Sequence, residues 1–407
     1  MTSSARTLPR TADAVVIGGG TIGAWCAWFL RREGLDVVLV ESASLGKGAS
    51  SRAAGMVRAQ GGTEAAVRLG MYSREFYASQ RDIVGVDSGF VEQGYFMPCF
   101  SDGEVSDAKA RIAMQRGLGL DVRWVDGDEV DALNPVLQPG LTRGASYAAG
   151  DGYIDPPRNV LAYTAALVAA DVTIVEHTAF TGLVTRGSQV VGVNTSVGEI
   201  ATETVVLTGG PTLASVGRSA GVRIPAGGAR HQVVVTEDHP DLASQRLPMV
   251  FDLAFGIYWR PEEGGMLWGM SNPVESPGVA HAFDWAYYEV ARKRMATLVP
   301  ITAQLGVRKL WAATIDYTPD HLPILGPAIT ETGPIAGTVV ASAGGHGMMW
   351  GPGVSRAAAD LALRGSTDVL DTSGLGLDRF DEFGRSTQAS DPIALPFPEA
   401  VEEPTLR

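Results

Sequence analysis

A strand, a glycine-rich turn, a helix, a second strand and an acid follow one another between residues 13 and 41, and this order restricts the fold more than anything else in the chain. Asp13-Ala-Val-Val-Ile17 is a β-branched run that reads as a buried strand. Gly18-Gly19-Gly20-Thr21-Ile22-Gly23 matches G-x-G-x-x-G. Ile22, Cys26, Phe29 and Leu30 then fall on one helical face, Arg31 and Arg32 suit the last turn, and Gly34 suits a left-handed stop. A second strand over 35–40 ends at Glu41. Gly18 permits the tight turn, Gly20 lets backbone approach a pyrophosphate, and Gly23 lets helix and strand pack closely. The helix N-terminus offers N–H groups to the phosphates, while Glu41 can accept from both ribose hydroxyls and disfavours a 2′-phosphate. The unit predicts an α/β domain that holds a dinucleotide.

With 407 residues the chain is too long for one ordinary core, so two domains are expected. The formal charge is −13, from 32 basic and 45 acidic residues, without a Lys/Arg stripe, and nucleic acid is excluded as a partner. No run of eighteen apolar residues occurs, the longest apolar helix candidate being 160–170, so no membrane span is expected. Residues 1–13 lack an apolar signal core. Cys26 and Cys99 have no metal-type spacing, so no metal site is expected, and both read as packing residues in a reducing cytoplasm.

Which dinucleotide is bound depends on segments outside the fingerprint. Gly48-Ala-Ser-Ser51-Arg52-Ala-Ala-Gly55-Met56-Val57-Arg58 is a small, hydroxyl-rich loop where a nicotinamide domain would continue with another strand–helix unit. Taken alone, it reads better as a glycine-rich surface loop. Near the far end, a strand over 338–343 leads into Gly344-Gly345-His346-Gly347-Met348-Met349-Trp350-Gly351-Pro352-Gly353 and a helix with Val354, Ala358 and Leu361 on one face. This repeats the anion-binding arrangement of the start, and a helix N-terminus there suits the negative charge of a reduced flavin.

These motifs, with Val205-Val-Leu-Thr-Gly209-Gly210 and Trp311-Ala-Ala…Thr318-Pro-Asp320-His-Leu-Pro-Ile-Leu-Gly326, give the chain its resemblance to the D-amino-acid oxidase superfamily, in the branch of sarcosine oxidase, glycine oxidase and dimethylglycine dehydrogenase. The resemblance covers nearly the whole chain. It implies FAD, with contacts from Gly18, Gly20, Thr21, Ile22, Gly23, Glu41 and Ser42, and from Ser50, Ser51, Arg52, Ala54, Gly55 and Met56. It adds Val175 and Gly209, and then Gly344, Gly345, Gly347, Met348 and Met349. Members with covalent flavin use a His or a Cys where this chain has Arg52 and Ala313, so a non-covalent flavin is implied.

The same resemblance makes Arg58 the holder of a substrate carboxylate, since a guanidinium fork matches two oxygens. Arg260 is a second candidate, against the plainer reading of a solvent-facing arginine at a strand end. The carboxylate-binding Arg of glycine oxidase is replaced by Ile315, and the oxygen-activating Lys of sarcosine oxidase by Met349. His346, flanked by glycines, is expected over the flavin edge, and Arg58 and His346 are the residues expected to act in catalysis. Tyr258, Trp259, Trp268, Trp285 and Tyr287 are candidate pocket walls, most of them expected to be packing residues.

The expected fold is α/β, a Rossmann-like FAD-binding domain interleaved with a mixed-sheet α+β substrate domain. The first takes 10–88, 151–222 and 310–375, the second 89–150 and 223–309, and 376–407 form a tail draped on the surface or mobile. The expected activity is hydride removal from the α-carbon of a small secondary or N-methylated amine or amino acid, giving an imine, with oxygen as acceptor and no dedicated base. Two rivals are a dehydrogenase of imino acids that uses an electron carrier, and an FAD-binding subunit that needs a partner for turnover. A homo-oligomer is left open.

Overall fold

The computed structural model describes residues 8–243 and 246–397. Ala14–Ile17 forms a strand buried at every position and lies centrally in a six-stranded sheet. Val37–Val40 and then Thr173–Val175 lie to one side of it in parallel; Val205–Leu207 and Thr338–Ser342 lie parallel on the other, with Ile324–Gly326 as an antiparallel edge. Chain order therefore reverses at the first strand, which is where open α/β sheets bind ligands beyond their carboxyl ends. Helices Thr21–Arg32 and Gly351–Arg364 pack against one another over this sheet.

The second sheet has eight strands, ordered 307–317, 227–236, 265–270, 257–262, 249–252, 95–99, 144–148 and 123–126. Pairing is antiparallel except between Met249–Asp252 and Tyr95–Cys99, so the sheet is mixed as expected. Alternation along its strands separates two cores. Tyr95, Val233, Val235 and Tyr258 face the core shared with the dinucleotide sheet, whereas Phe96, Val234 and Trp259 face a second core closed by helix Trp285–Leu298.

The six-stranded sheet draws its strands from 14–40, 173–207 and 324–342, and the eight-stranded sheet from 95–148 and 227–317. Strand Val307–Tyr317 runs through the boundary placed at 310 and belongs wholly to the eight-stranded sheet, paired with Gly227–Thr236. A small antiparallel sheet over 180–186, 189–195 and 198–201 was not anticipated. Among the described residues no helix is long and apolar enough to cross a membrane.

The tail departs most from expectation. Arg379 is buried and pairs with Asp320 at 2.7 Å, and Asp391, Ile393 and Phe397 are also buried. Apolar side chains at 393, 395 and 397 have a core to enter, so this stretch packs inward instead of draping outside. Residues 398–407 of that tail lie outside the described residues.

Candidate active site

One cavity of about 760 Å³ runs from the glycine turn to the underside of the eight-stranded sheet. At the turn, Gly18 has φ of +101°, a conformation costly for any side chain. A Cβ at Gly23 would stand 1.9 Å from the Gly18 carbonyl oxygen, so this crossing of helix and strand admits only glycine. The Glu41 carboxylate accepts from the Gly19 and Ala43 N–H groups, both at 2.7 Å, and is thereby aimed along the turn. Ser50 Oγ accepts from the Thr21 N–H at 2.9 Å, which ties the 48–58 loop to the helix N-terminus. The loop is fixed again by Trp311 Nε1, which donates to the Arg52 carbonyl at 2.8 Å.

The late loop forms another wall. Gly344 and Gly345 have φ of +56° and +103°, and the His346 N–H donates to the Ala343 carbonyl. The chain turns so tightly that the His346 ring stacks on Trp350 with centroids 4.0 Å apart. Burial, with the Arg58 cation and His321 adding to it, holds His346 well below the usual imidazole range, so it is neutral. Asp316, which lines the cavity, is shifted upward by burial despite hydrogen bonds from Ser342 and the Gly345 N–H.

Beneath the eight-stranded sheet lie Arg58, Tyr95, His231, Phe251 and Tyr258. Arg58 is 3% exposed and makes no ion pair with a carboxylate among the described residues. Its Nη1 donates to the Gln60 carbonyl, its Nη2 to the Ile393 carbonyl at 3.0 Å, and its Cζ lies 5.6 Å from the Phe251 ring centre. His231 Nδ1 is 2.8 Å from Ser271 Oγ, and its Nε2 meets the Tyr258 hydroxyl. Burial pushes His231 down to about 4 and the Tyr258 hydroxyl upward, so the pair is neutral. With Nδ1–H given to Ser271, Nε2 is left to accept from Tyr258.

The cavity gathers most of the residues singled out from sequence: Gly18, Gly20, Thr21, Ile22, Gly23, Glu41 and Ser42; Ser50, Arg52, Ala54, Gly55, Met56 and Arg58; Gly209 and Tyr258; and Gly345 through Met349. Four of the residues expected at the cofactor or substrate fall outside its lining. Ser51 is half-buried in the 49–51 turn, and Val175 uses its carbonyl to accept from the Glu41 N–H at 2.9 Å. Gly344 turns inward, where a Cβ would stand 2.6 Å from the Leu322 carbonyl oxygen. Arg260 is neither solvent-facing nor open to the cavity: it donates to the Ala54 carbonyl at 3.2 Å, pairs with Glu262 and stacks on Tyr153. Trp259 and Trp268 face the second core, and Trp285 is exposed.

Sequence reasoning missed His231, Phe251, Asp316 and Leu395. His231 left one signal, a lone imidazole heading the apolar strand His231-Gln-Val-Val-Val-Thr.

The cradle suits a dinucleotide, and the family comparison decides which one. A family model described as DAO, FAD dependent oxidoreductase, matches residues 13–361. The chain belongs to this family of FAD-dependent oxidoreductases. Its cofactor is FAD. It is 29% identical over 385 residues to the 4-methylaminobutanoate oxidase (formaldehyde-forming) of Paenarthrobacter nicotinovorans, covering 92% of this chain and 46% of that protein. It is 27% identical to the mitochondrial sarcosine dehydrogenase of Mus musculus, covering 88% of this chain and 40% of the relative. The chain thus spans less than half the length of these two relatives. Among solved structures, the L-proline dehydrogenase of P. horikoshii superposes with a TM-score of 0.81 at 26% identity, covering 89% of this chain and 96% of that one.

Proposed function

We propose that this family member oxidises the C–N bond of a small amino acid whose nitrogen is secondary or N-methylated. The observation that carries the reading is Arg58, a buried cation lining the cavity that makes no direct ion pair among the described residues and feels only the longer-range attraction of the buried Asp391 carboxylate. A buried charge left unpaired is costly, and a substrate carboxylate would pair it. The relatives point the same way, since 4-methylaminobutanoate, sarcosine and proline, as their names give them, are all secondary amino acids.

When bound, FAD supplies a hydride acceptor. The chain's own residues place the substrate and shield it from water. Arg58 fixes the carboxylate, and Phe251 with Ile315 gives an apolar surround that excludes water. An ammonium must lose its proton before its α-carbon can release hydride and form C=N. Burial keeps both His231 and the Tyr258 hydroxyl that meets its Nε2 neutral, so neither serves as a base, and the amine gives its proton to solvent before it is bound. His346, neutral beside Arg58, adds no second positive charge. The imine then hydrolyses to a carbonyl compound and a free amine.

The flavin is read as non-covalent because the lining positions where relatives attach it are Arg52 and Ala313. Oxygen is read as the acceptor. A carrier-dependent dehydrogenase is the second reading, favoured by the apolar Met349 in the position of an oxygen-activating Lys. Buried, unpaired Cys26 and Cys99 support a reducing, cytoplasmic setting.

Anaerobic titration with N-methyl and cyclic amino acids should bleach the flavin bands, and air should restore them with peroxide. Restoration only by an artificial acceptor would make the protein a dehydrogenase. Bleaching that is equal with the wild type and Arg58→Met would overturn the carboxylate reading.

A further inference from the structure

One stretch of the cavity wall comes from neither sheet. After Thr387 the chain returns across the molecule, and the Asp391 N–H donates to the Asp320 carbonyl at 3.0 Å. Asp391 Oδ1 accepts from the Ile393 N–H at 2.8 Å, closing a turn in which both residues are buried. The Ile393 carbonyl then faces inward and accepts from Arg58 Nη2. Two residues on, Leu395 lines the cavity, and it packs with Ile315 against the group formed by Ala229, Tyr317 and Phe397. Phe397 stacks on Tyr317, with centroids 5.1 Å apart and planes 17° from parallel.

The surface under this strap is shaped to receive it. A Cβ at Gly62 would stand 2.0 Å from Asp391 Oδ1, one at Gly256 2.2 Å from Pro396, and one at Gly345 2.8 Å from Phe397. Three segments remote in sequence thus lack a side chain where the strap passes. Close backbone approach at all three argues for a built wall rather than a loosely lying tail.

We propose that residues 391–397 complete the substrate site, the Ile393 carbonyl orienting Arg58 and the Leu395 side chain setting how long an aliphatic substrate the cavity accepts. This rests on the reading that Arg58 takes a carboxylate. A guanidinium has five N–H donors; the main-chain oxygens of Gln60 and Ile393 and the Tyr95 side chain engage some of them and leave others for an anion. Where Ile315 and Leu395 line the cavity, their side chains offer no polar atom, so the part of the substrate that reaches them is hydrocarbon. In such a pocket, one methylene too many or too few changes selectivity by about tenfold or more.

The test uses FAD-loaded wild type, Leu395→Ala, Leu395→Trp and Phe397→Ala. The first measurement is kcat/KM for N-methyl amino acids with side chains from hydrogen to butyl. The second is the affinity for acetate through hexanoate, read from the shift of the flavin bands without turnover. Leu395→Ala should move both optima toward longer chains, by about tenfold in the ratio of longest to shortest, and Leu395→Trp should move them back. Phe397→Ala, which loosens the strap, should weaken all the carboxylates by a similar factor while flavin content stays unchanged. Identical length profiles in wild type and both Leu395 variants would overturn the proposal. Carboxylates that bind with a Leu395-dependent profile, while no amino acid is oxidised, would remove the reaction reading and leave the strap. Absence of carboxylate binding to the wild type would remove both.

Discussion

Burial decides the charge of His231 and His346, and His231 shows the consequence for stability. Its folded value, about 4, lies below the ordinary 6.5, because burial penalises the cation. Above 6.5 both folded and unfolded chains hold it neutral, and its contribution to stability is complete. As pH falls from 6.5 toward 4, the unfolded chain takes a proton that the folded chain refuses, and stability is lost with it. The full loss is ~3 kcal/mol for this group. His346 is displaced in the same direction and adds to the slope. Thermal unfolding followed between pH 7 and 4 should show a steep fall in the wild type and a shallower one in His231→Gln. Equal slopes would mean that His231 is not the neutral partner of Tyr258 that its geometry indicates.

At the scale of elements, the glycine turn and the helix it starts are one device. The Thr21–Arg32 helix can approach the first strand only because Gly23 has no side chain facing the Gly18 carbonyl. Gly23→Ala should therefore force the turn apart, removing N–H groups from phosphate reach. Flavin content after purification should fall at least tenfold, while far-ultraviolet circular dichroism stays close to wild type; full flavin retention would contradict the packing argument. This turn was legible in the sequence because strand, turn, helix and acid are all local. The 344–349 loop was legible for the same reason, and so was the alternation that gives a mixed sheet. What local pattern could not show was facing. Tyr258 and Arg260 lie on the same side of one strand, yet only Tyr258 reaches the cavity, since Gly269 opposite it leaves room for its ring and Ala54 captures Arg260. His231 became visible only when strand pairing set it opposite the small Ala313 and beside Ser271. The inward course of the tail depended on contacts with residues more than a hundred positions earlier, such as Gly256 and Arg58.

For the whole molecule, interleaving means that no single cut separates the two sheets. Strand Val307–Tyr317 belongs to the substrate side, and the next residues enter the dinucleotide side through Asp320 and Ile324–Gly326. Asp320 is the joint: it accepts from Arg379 at two atoms, from Ser386 and from the Leu322 N–H, and its carbonyl receives the Asp391 N–H. Both members of the pair are 1% exposed, so Asp320→Ala would leave a buried guanidinium without its counter-ion, a loss of about 3–5 kcal/mol. Because the joint serves both sheets and the strap, that loss should lower one cooperative transition rather than detach a part. FAD binds only the folded chain, so FAD at a hundred times its Kd should return about 2.7 kcal/mol to wild type and variant alike, provided the cradle is intact. Thermal scans of both proteins, with and without added FAD, check this through intrinsic fluorescence and flavin release together. Coincident transitions that FAD raises equally in both would establish that the joint supports the fold as a unit. A variant whose flavin leaves well before its tryptophans are exposed would show instead that the strap and cavity open on their own, and that the two sheets are less tightly coupled than their shared strand implies.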